Sequence, residues 1–349
     1  MLAALTLLAA AAAPAPAALP VHVEGRVIKD ADGSLSFGWP GVSFESRFRG
    51  TGVRVRFDAP TDFLRLRIDG REKMVFRRPG SVDRLFGGLP RGVHIVRLEK
   101  MTESQQGGSR FIGFFPVPGD IPLPAPRRAR QIEFIGDSYT VGYGNTSASR
   151  TCTKDEVHDT TDTQKAFGPL VARHYGADVR IVAYSGFGIV RNYNGGSPGL
   201  NLPKLYDRPK PDDDSDRAAA GGWHPRVIVV NLGTNDFSTP VHPGEAWPDQ
   251  GSLAAAYRAG YGAFLRKLLA RRPRAHFILM GSDFYPEVEQ VAAALGPADR
   301  ARVATLRFGE LELTGCDWHL SLADDRKVAG LIEDAIDGLG IGWKRGGRE

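Results

Sequence analysis

The 349-residue chain has only two cysteines, Cys152 and Cys316. That excludes a scaffold held by several disulfides and a cysteine-rich zinc site. Basic residues are absent from the amino terminus, where no Lys or Arg precedes Arg26. Long apolar runs are also lacking. The most extended, Met1 to Ala13, falls short of the ~20 residues that span a bilayer. No basic stripe interleaves with aromatics, and the net charge of +5 reflects 45 basic against 40 acidic residues. Neither nucleic acid nor membrane is therefore an expected partner. No internal repeat is visible.

Glycine and proline are plentiful, at 42 and 24 residues, which implies many turns. With 42% hydrophobic and 24% charged residues, the composition is that of a globular protein long enough for two domains. The Leu/Ala run and the following Pro14-Ala15-Pro16-Ala17-Ala18 read as a signal peptide over residues 1–18, cleaved at Ala15-x-Ala17. It lacks the usual basic start, so a disordered lead-in stays open as the alternative. The expected location is secreted or periplasmic.

Residues 20–117 alternate with period two in short stretches, such as Val53-Arg54-Val55-Arg56-Phe57 and Val93 to Lys100. Asp69-Gly70 marks a hairpin, and glycines punctuate the rest. This pattern predicts a β-sandwich. Residues 118–129 are dense in proline and are expected to form a stiff linker. Residues 130–343 change texture. Apolar strands at 131–135, 179–184, 226–231 and 276–280 alternate with helices near 163–175, 252–271, 285–295 and 322–338. That alternation predicts an α/β domain with a parallel sheet covered by helices on both faces. Segment 194–222 reads as a surface excursion.

Polar, glycine-flanked elements follow one strand end after another: Gly136-Asp137-Ser138, Ser185-Gly186, Gly233-Thr234-Asn235-Asp236, and Gly315-Cys316-Asp317-Trp318-His319 near the end. Open α/β sheets bind ligands at those ends. Each element alone is an ordinary loop. Together they suit acyl transfer by a serine, which needs a base to take its proton and donors to stabilise an oxyanion. Ser138 is the candidate nucleophile. His319, in a polar loop ahead of the last helix, is the best base among eight histidines, with His158 as runner-up. The N–H groups of Ser138 and Gly186 and the Asn235 amide are the candidate oxyanion donors.

Gly136-Asp137-Ser138, Gly186, Gly233-Thr234-Asn235-Asp236 and the late histidine resemble the SGNH (GDSL-type) hydrolase superfamily. Trp39-Pro40-Gly41-Val42, His94 to Lys100 and Thr102-Glu103, with Tyr184-Ser185-Gly186, Arg191-Asn192-Tyr193 and Asn231 to Ser238, resemble carbohydrate esterase family 2. The resemblance implies a jelly-roll β domain before an SGNH, flavodoxin-like domain. It implies a serine esterase that removes acetyl groups from a carbohydrate such as xylan, with no metal and no organic cofactor. Asp137 and Asp236 would hold loops rather than react. A GDSL-type esterase acting on other short acyl esters or on lipid is the alternative, and a non-catalytic carbohydrate-binding protein is another.

The sequence departs from the superfamily pattern at one place. Three residues before the histidine, where an orienting aspartate is usual, stands Cys316; the aspartate, Asp317, is two before. Some members of the family lack the acid and orient the histidine with a backbone carbonyl, so both arrangements stay open here. If the protein is exported, a Cys152–Cys316 disulfide would tie the base loop to the nucleophile loop. Trp318, and more weakly Tyr193 and Tyr139, are candidates to line the sugar or acyl site.

Overall fold

The computed structural model describes residues 17–215 and 222–343. The leader expected over 1–18 lies almost wholly outside them.

The amino-terminal region forms β1 (His22–Glu24), β2 (Ile28–Lys29), β3 (Leu35–Phe37), β4 (Ser43–Gly50), β5 (Val53–Ala59), β6 (Phe63–Ile68), β7 (Arg71–Arg77), β8 (Gly80–Phe86), β9 (Gly92–Lys100), β10 (Ser109–Pro116) and β11 (Ile121–Leu123). They make two antiparallel sheets, ordered β1-β4-β9-β6-β7 and β2-β3-β10-β5-β8. The pairings β3–β10, β4–β9, β5–β8 and β6–β7 nest one inside the next, in agreement with the jelly-roll expectation. In β5, Val53, Val55, Phe57 and Ala59 are fully buried while the residues between them are half-exposed. Phe44 stacks on Phe111 at 4.2 Å between the sheets. Asp69 and Gly70 both take positive φ (53° and 71°), as the tight hairpin turn between β6 and β7 requires. The proline-dense stretch is not a free-running linker, because β11 within it pairs with the edge of β4.

The second domain is built on β12 (Arg130–Gly136), β13 (Ala177–Ala183), β14 (Val227–Asn231), β15 (His276–Gly281) and β16 (Val303–Arg307). All run parallel in the order β13-β12-β14-β15-β16, the flavodoxin-like order whose switch point lies beside β12. Its helices are α1 (Ser138–Val141), α2 (Lys154–Thr160), α3 (Phe167–His174), α4 (Leu202–Leu205), α5 (Thr234–Phe237), α6 (Gln250–Arg271), α7 (Tyr285–Ala293), α8 (Pro297–Arg300) and α9 (Leu322–Gly338). Leu265 and Leu268 of α6 and Val288 of α7 pack with Ile228 and Val230 on one face of the sheet. Val171 of α3 and Val328 and Ile332 of α9 pack with Phe134 and Val229 on the other. Among the described residues no helix is long and apolar enough to cross a membrane.

Segment 194–222, expected as a surface excursion, instead carries α4. Leu202, Leu205 and Tyr206 are buried in the same core as α6. That segment also meets the sandwich: buried Trp39 donates from Nε1 to Arg208 O at 3.2 Å, and Arg26 donates to the same carbonyl at 2.8 Å. The two domains are thus joined by buried groups from both sides.

Candidate active site

β12 ends at Gly136, and the chain turns at once into the short helix α1 with Ser138 as its first residue. A side chain at Gly136 would place its Cβ 2.0 Å from Thr140 Oγ1, so only glycine permits the turn. Asp137 caps α1, accepting from Tyr139 N–H at 3.1 Å. Burial, reinforced by the nearby Asp236 carboxylate, pushes Asp137 up to about 7.

His319 arrives from the far end of the chain. Its Nε2 lies 2.8 Å from Ser138 Oγ. Its Nδ1 faces two backbone carbonyls, Cys316 O at 2.9 Å and Asp317 O at 3.1 Å. A carbonyl can only accept, so Nδ1 carries the proton and Nε2 is left to accept from the serine hydroxyl. Burial lowers the affinity of the ring for a second proton, offset in part by the two carbonyls. Neutral His319 beside a hydroxyl is the arrangement a general base needs.

Asp317 was the candidate third member of a triad, and its carboxylate does not take that place. The residue adopts a left-handed φ of 51° in a short 3-10 turn, and its Oδ2 accepts from Tyr143 OH at 3.1 Å. The ring of Tyr143 lies 4.3 Å from that of His319, and Tyr139 meets the imidazole edge-on at 5.4 Å. Cys316, buried beneath, is disulfide-bonded to Cys152. Runner-up His158 turns to the sandwich instead; it packs edge-on against Phe63 and contacts Arg78 at 3.2 Å.

The candidate donors follow the ends of β12, β13 and β14. Gly186, in the loop after β13, has a φ of 84° with open space where a side chain would stand. Neither its N–H nor that of Ser138 meets an acceptor among the described residues. Asn235 is the second residue of α5, just after β14. One amide hydrogen goes to Phe187 O at 3.0 Å, and the other points loosely towards Asp137 Oδ2 at 3.4 Å. Asp236 accepts from the N–H groups of Ile189, Val190 and Arg191 at 3.0, 2.9 and 3.0 Å. It therefore holds the Gly186 loop, the structural role expected of it. Burial pushes Asp236 up to about 6.

Two family models match this chain, Carbohydrate esterase 2 N-terminal over residues 23–126 and GDSL-like Lipase/Acylhydrolase family over 134–313. An acetylxylan esterase / glucomannan deacetylase of Cellvibrio japonicus is 44% identical over 324 residues, covering 90% of this chain and 89% of the relative. The chain belongs to carbohydrate esterase family 2. A solved carbohydrate esterase, described as having divergent catalytic and non-catalytic binding functions at its active site, superposes with a TM-score of 0.88 at 42% identity. It covers 94% of this chain and all of that one. A family two esterase from Clostridium thermocellum, solved in complex with cellohexaose, gives a TM-score of 0.79 at 26% identity over 93% of this chain and all of that one. As a member of the family the protein is a carboxylic ester hydrolase.

The surface around the esterase site fits that class. Among the large apolar side chains that stand exposed in the described residues, the α/β domain contributes Tyr193 (57%) and Trp318 (61%). Trp318 adjoins His319, and Tyr193 N–H donates to Gly186 O at 2.8 Å. Trp318 and Tyr193 thus lie on the loops that carry His319 and Gly186, and the third candidate, Tyr139, meets the His319 ring directly. Tyr143 was not among the candidates; an aromatic one turn beyond the nucleophile was its only signal. Buried Arg191 was not assigned a role either. It donates to Thr239 and Pro240 carbonyls and pairs with Glu245 at 2.6 Å, fixing the loop after Gly186. His22, Glu24 and Asp178 bring their ligand atoms within 4.8 Å of one another. Arg97 and Arg128 already pair with these carboxylates, which makes the cluster an ion-pair network at the domain junction rather than a cation site.

Proposed function

We propose that this esterase removes acetyl groups from a carbohydrate by a Ser138–His319 dyad, with Cys316 O in the place of a triad acid. The supporting observation is the bond chain Ser138 Oγ, His319 Nε2, His319 Nδ1, Cys316 O. His319 takes the Ser138 proton as Oγ attacks the acetyl carbonyl carbon. The carbonyl π electrons move onto oxygen, and Ser138 N–H, Gly186 N–H and Asn235 Nδ2, whose second hydrogen leaves its long contact with Asp137 Oδ2, stabilise that oxyanion. Its collapse breaks the ester C–O bond, and His319 gives its proton to the departing sugar oxygen, which leaves as a hydroxyl. Water, deprotonated by His319, then releases acetate from Ser138 through a second tetrahedral intermediate. No step needs a metal or an organic cofactor. The exposed faces of Trp318 and Tyr193 suit an acetylated sugar ring as partner. The disulfide supports an oxidising location, secreted or periplasmic.

Turnover of a short-chain aryl acetate and of acetylated xylan, with fluorophosphonate labelling of the serine, tests this reading. Wild type should turn over both and be labelled, and Ser138→Ala should do neither. A preference for long-chain over acetyl esters would overturn the substrate class, and absence of labelling would overturn the mechanism.

A further inference from the structure

The Gly186 N–H is aimed by residues of the other domain. The peptide that carries it belongs to Ser185 on its carbonyl side, and the sandwich grips Ser185 at both polar ends. Glu103 Oε1 accepts from Ser185 N–H at 2.8 Å, and Gln105 Nε2 donates to Ser185 O at 3.1 Å. A peptide unit is planar and trans, so its C=O and the next N–H point in opposite directions. Fixing Ser185 O on one side therefore fixes Gly186 N–H on the other. Gly186 itself takes a positive φ with open space where a Cβ would stand; the turn closed by Phe187 N–H on Tyr184 O at 3.2 Å and the Tyr193 N–H bond to Gly186 O at 2.8 Å frame the same peptide from the α/β side.

The loop that makes this grip is itself rigidly mounted. It follows β9, and buried Asp62 collects three donors around it: Lys100 Nζ at 2.6 Å, Ser104 Oγ at 2.7 Å and Ser109 Oγ at 2.6 Å. Thr102 Oγ1 accepts from Phe63 N–H at 2.9 Å. From the α/β side, Thr163 N–H donates to Met101 O at 2.9 Å and Gln164 Nε2 to Lys100 O at 3.2 Å. The loop is thus bolted to both domains before it reaches Ser185.

We infer that Glu103 and Gln105 are positioning residues for the oxyanion site, so that the sandwich domain is part of the catalytic apparatus. The inference rests on the proposed dyad mechanism. Each residue acts through the Ser185–Gly186 peptide, and its loss lets that N–H swing away from the developing charge.

The test compares wild type, Ser138→Ala, Glu103→Ala, Glu103→Gln and Gln105→Ala on a short-chain aryl acetate. Inhibition by phenylboronic acid is measured alongside, because its tetrahedral serine adduct occupies the oxyanion site. Glu103→Ala and Gln105→Ala should each lower kcat by about tenfold to a hundredfold with KM within about twofold, and boronate affinity should fall in parallel. Glu103→Gln, whose amide oxygen still accepts from Ser185 N–H, should stay within about threefold of wild type. Gln105 is solvent-facing, so Gln105→Ala keeps the test open even if Glu103→Ala misfolds. Wild-type kcat in Gln105→Ala, a change confined to KM, or a kcat loss with undiminished boronate affinity would each overturn the inference. Turnover in wild type that persists in Ser138→Ala would overturn the dyad reading, and the inference with it.

Discussion

At the scale of single residues, the site differs from a triad in what faces His319 Nδ1. Two carbonyls do, and the Asp317 carboxylate belongs to Tyr143. A triad aspartate typically contributes about 10⁴ in kcat. Asp317→Ala should therefore lower kcat by less than about tenfold, while His319→Ala should lower it by on the order of 10³ or more. Steady-state kinetics of the two variants decide the matter, and equal losses would restore Asp317 to the reacting group. The pH profile follows from the same geometry. Only neutral His319 accepts the serine proton, and burial holds its pKa below the ordinary 6.5. Activity should thus persist as pH falls past 6.5, with the acid limb of kcat/KM lying lower. An acid limb above that value would contradict the burial. Asp137 behaves oppositely. An unfolded aspartate loses its proton near 3.8, whereas the folded one keeps it to about 7. Protons therefore bind the native state more tightly, and this residue's contribution to stability declines as pH rises from about 4 through about 7. Asp137→Asn, which removes that titration, should flatten the loss of Tm over the interval.

At the scale of elements, the base loop is pinned to the segment after the nucleophile. The disulfide joins Cys152 to Cys316. Cys316 N–H donates to Gly144 O at 3.3 Å, and Arg150 donates to Leu313 O and Glu312 O at 2.8 and 2.7 Å. Cys316 carries the carbonyl that orients His319, so the covalent tie bears on catalysis as well as stability. The double variant Cys152→Ser, Cys316→Ser should lose about 2–4 kcal/mol of stability and show a lower kcat. The loss of kcat should be smaller than that of His319→Ala, because Arg150 and Gly144 still hold the loop. Chemical denaturation and kinetics measure the two effects. Much of this domain was legible in the sequence. β14 and β15 carry uninterrupted apolar runs, β12 is apolar from Ile132 to Ile135 but for Glu133, and Ser138, Gly186 and Asn235 each follow a strand end as an open α/β sheet demands. Other parts were not. β16 (Val-Ala-Thr-Leu-Arg) is an edge strand, half-buried for most of its length, so its residues show neither alternation nor a continuous apolar run. α2 (Lys-Asp-Glu-Val-His-Asp-Thr) buries only Val157. The partner of His319 is a main-chain oxygen, which every residue possesses and no residue type announces.

At the scale of the whole molecule, the two domains are joined by buried charges that no local pattern reveals, since the partners lie far apart in sequence. Arg65 of β6 is the clearest case. Its guanidinium is almost wholly buried and reaches Glu72 at 3.0 Å, Glu99 at 3.6 Å and, across the junction, Asp162. Asp162 in turn receives Asn145 through its main chain: its N–H donates to Asn145 Oδ1 at 3.0 Å, and Asn145 Nδ2 continues to Asp325 Oδ2 at 2.9 Å. A charge in the sandwich is therefore linked through two hydrogen-bonded residues to the segment just after the nucleophile and to α9. Removing one partner of a buried pair typically costs about 3–5 kcal/mol, because the charge left behind stays desolvated. Arg65→Ala removes the buried cation between Asp162 and Glu99, leaving Asp162 with half-exposed Lys165 at 3.3 Å and Glu99 with Arg67 and Arg97 at 3.1 and 3.0 Å, and it should fall at the lower end of that range by urea denaturation. The companion variant Asp162→Asn leaves Arg65 with Glu72 and Glu99 and should cost clearly less. If the domains were independent bodies touching by chance, Arg65→Ala would shift the unfolding of the sandwich alone and leave the esterase midpoint, read by loss of activity, where it was. The buried network predicts instead that activity and tryptophan fluorescence are lost together, at one lowered midpoint.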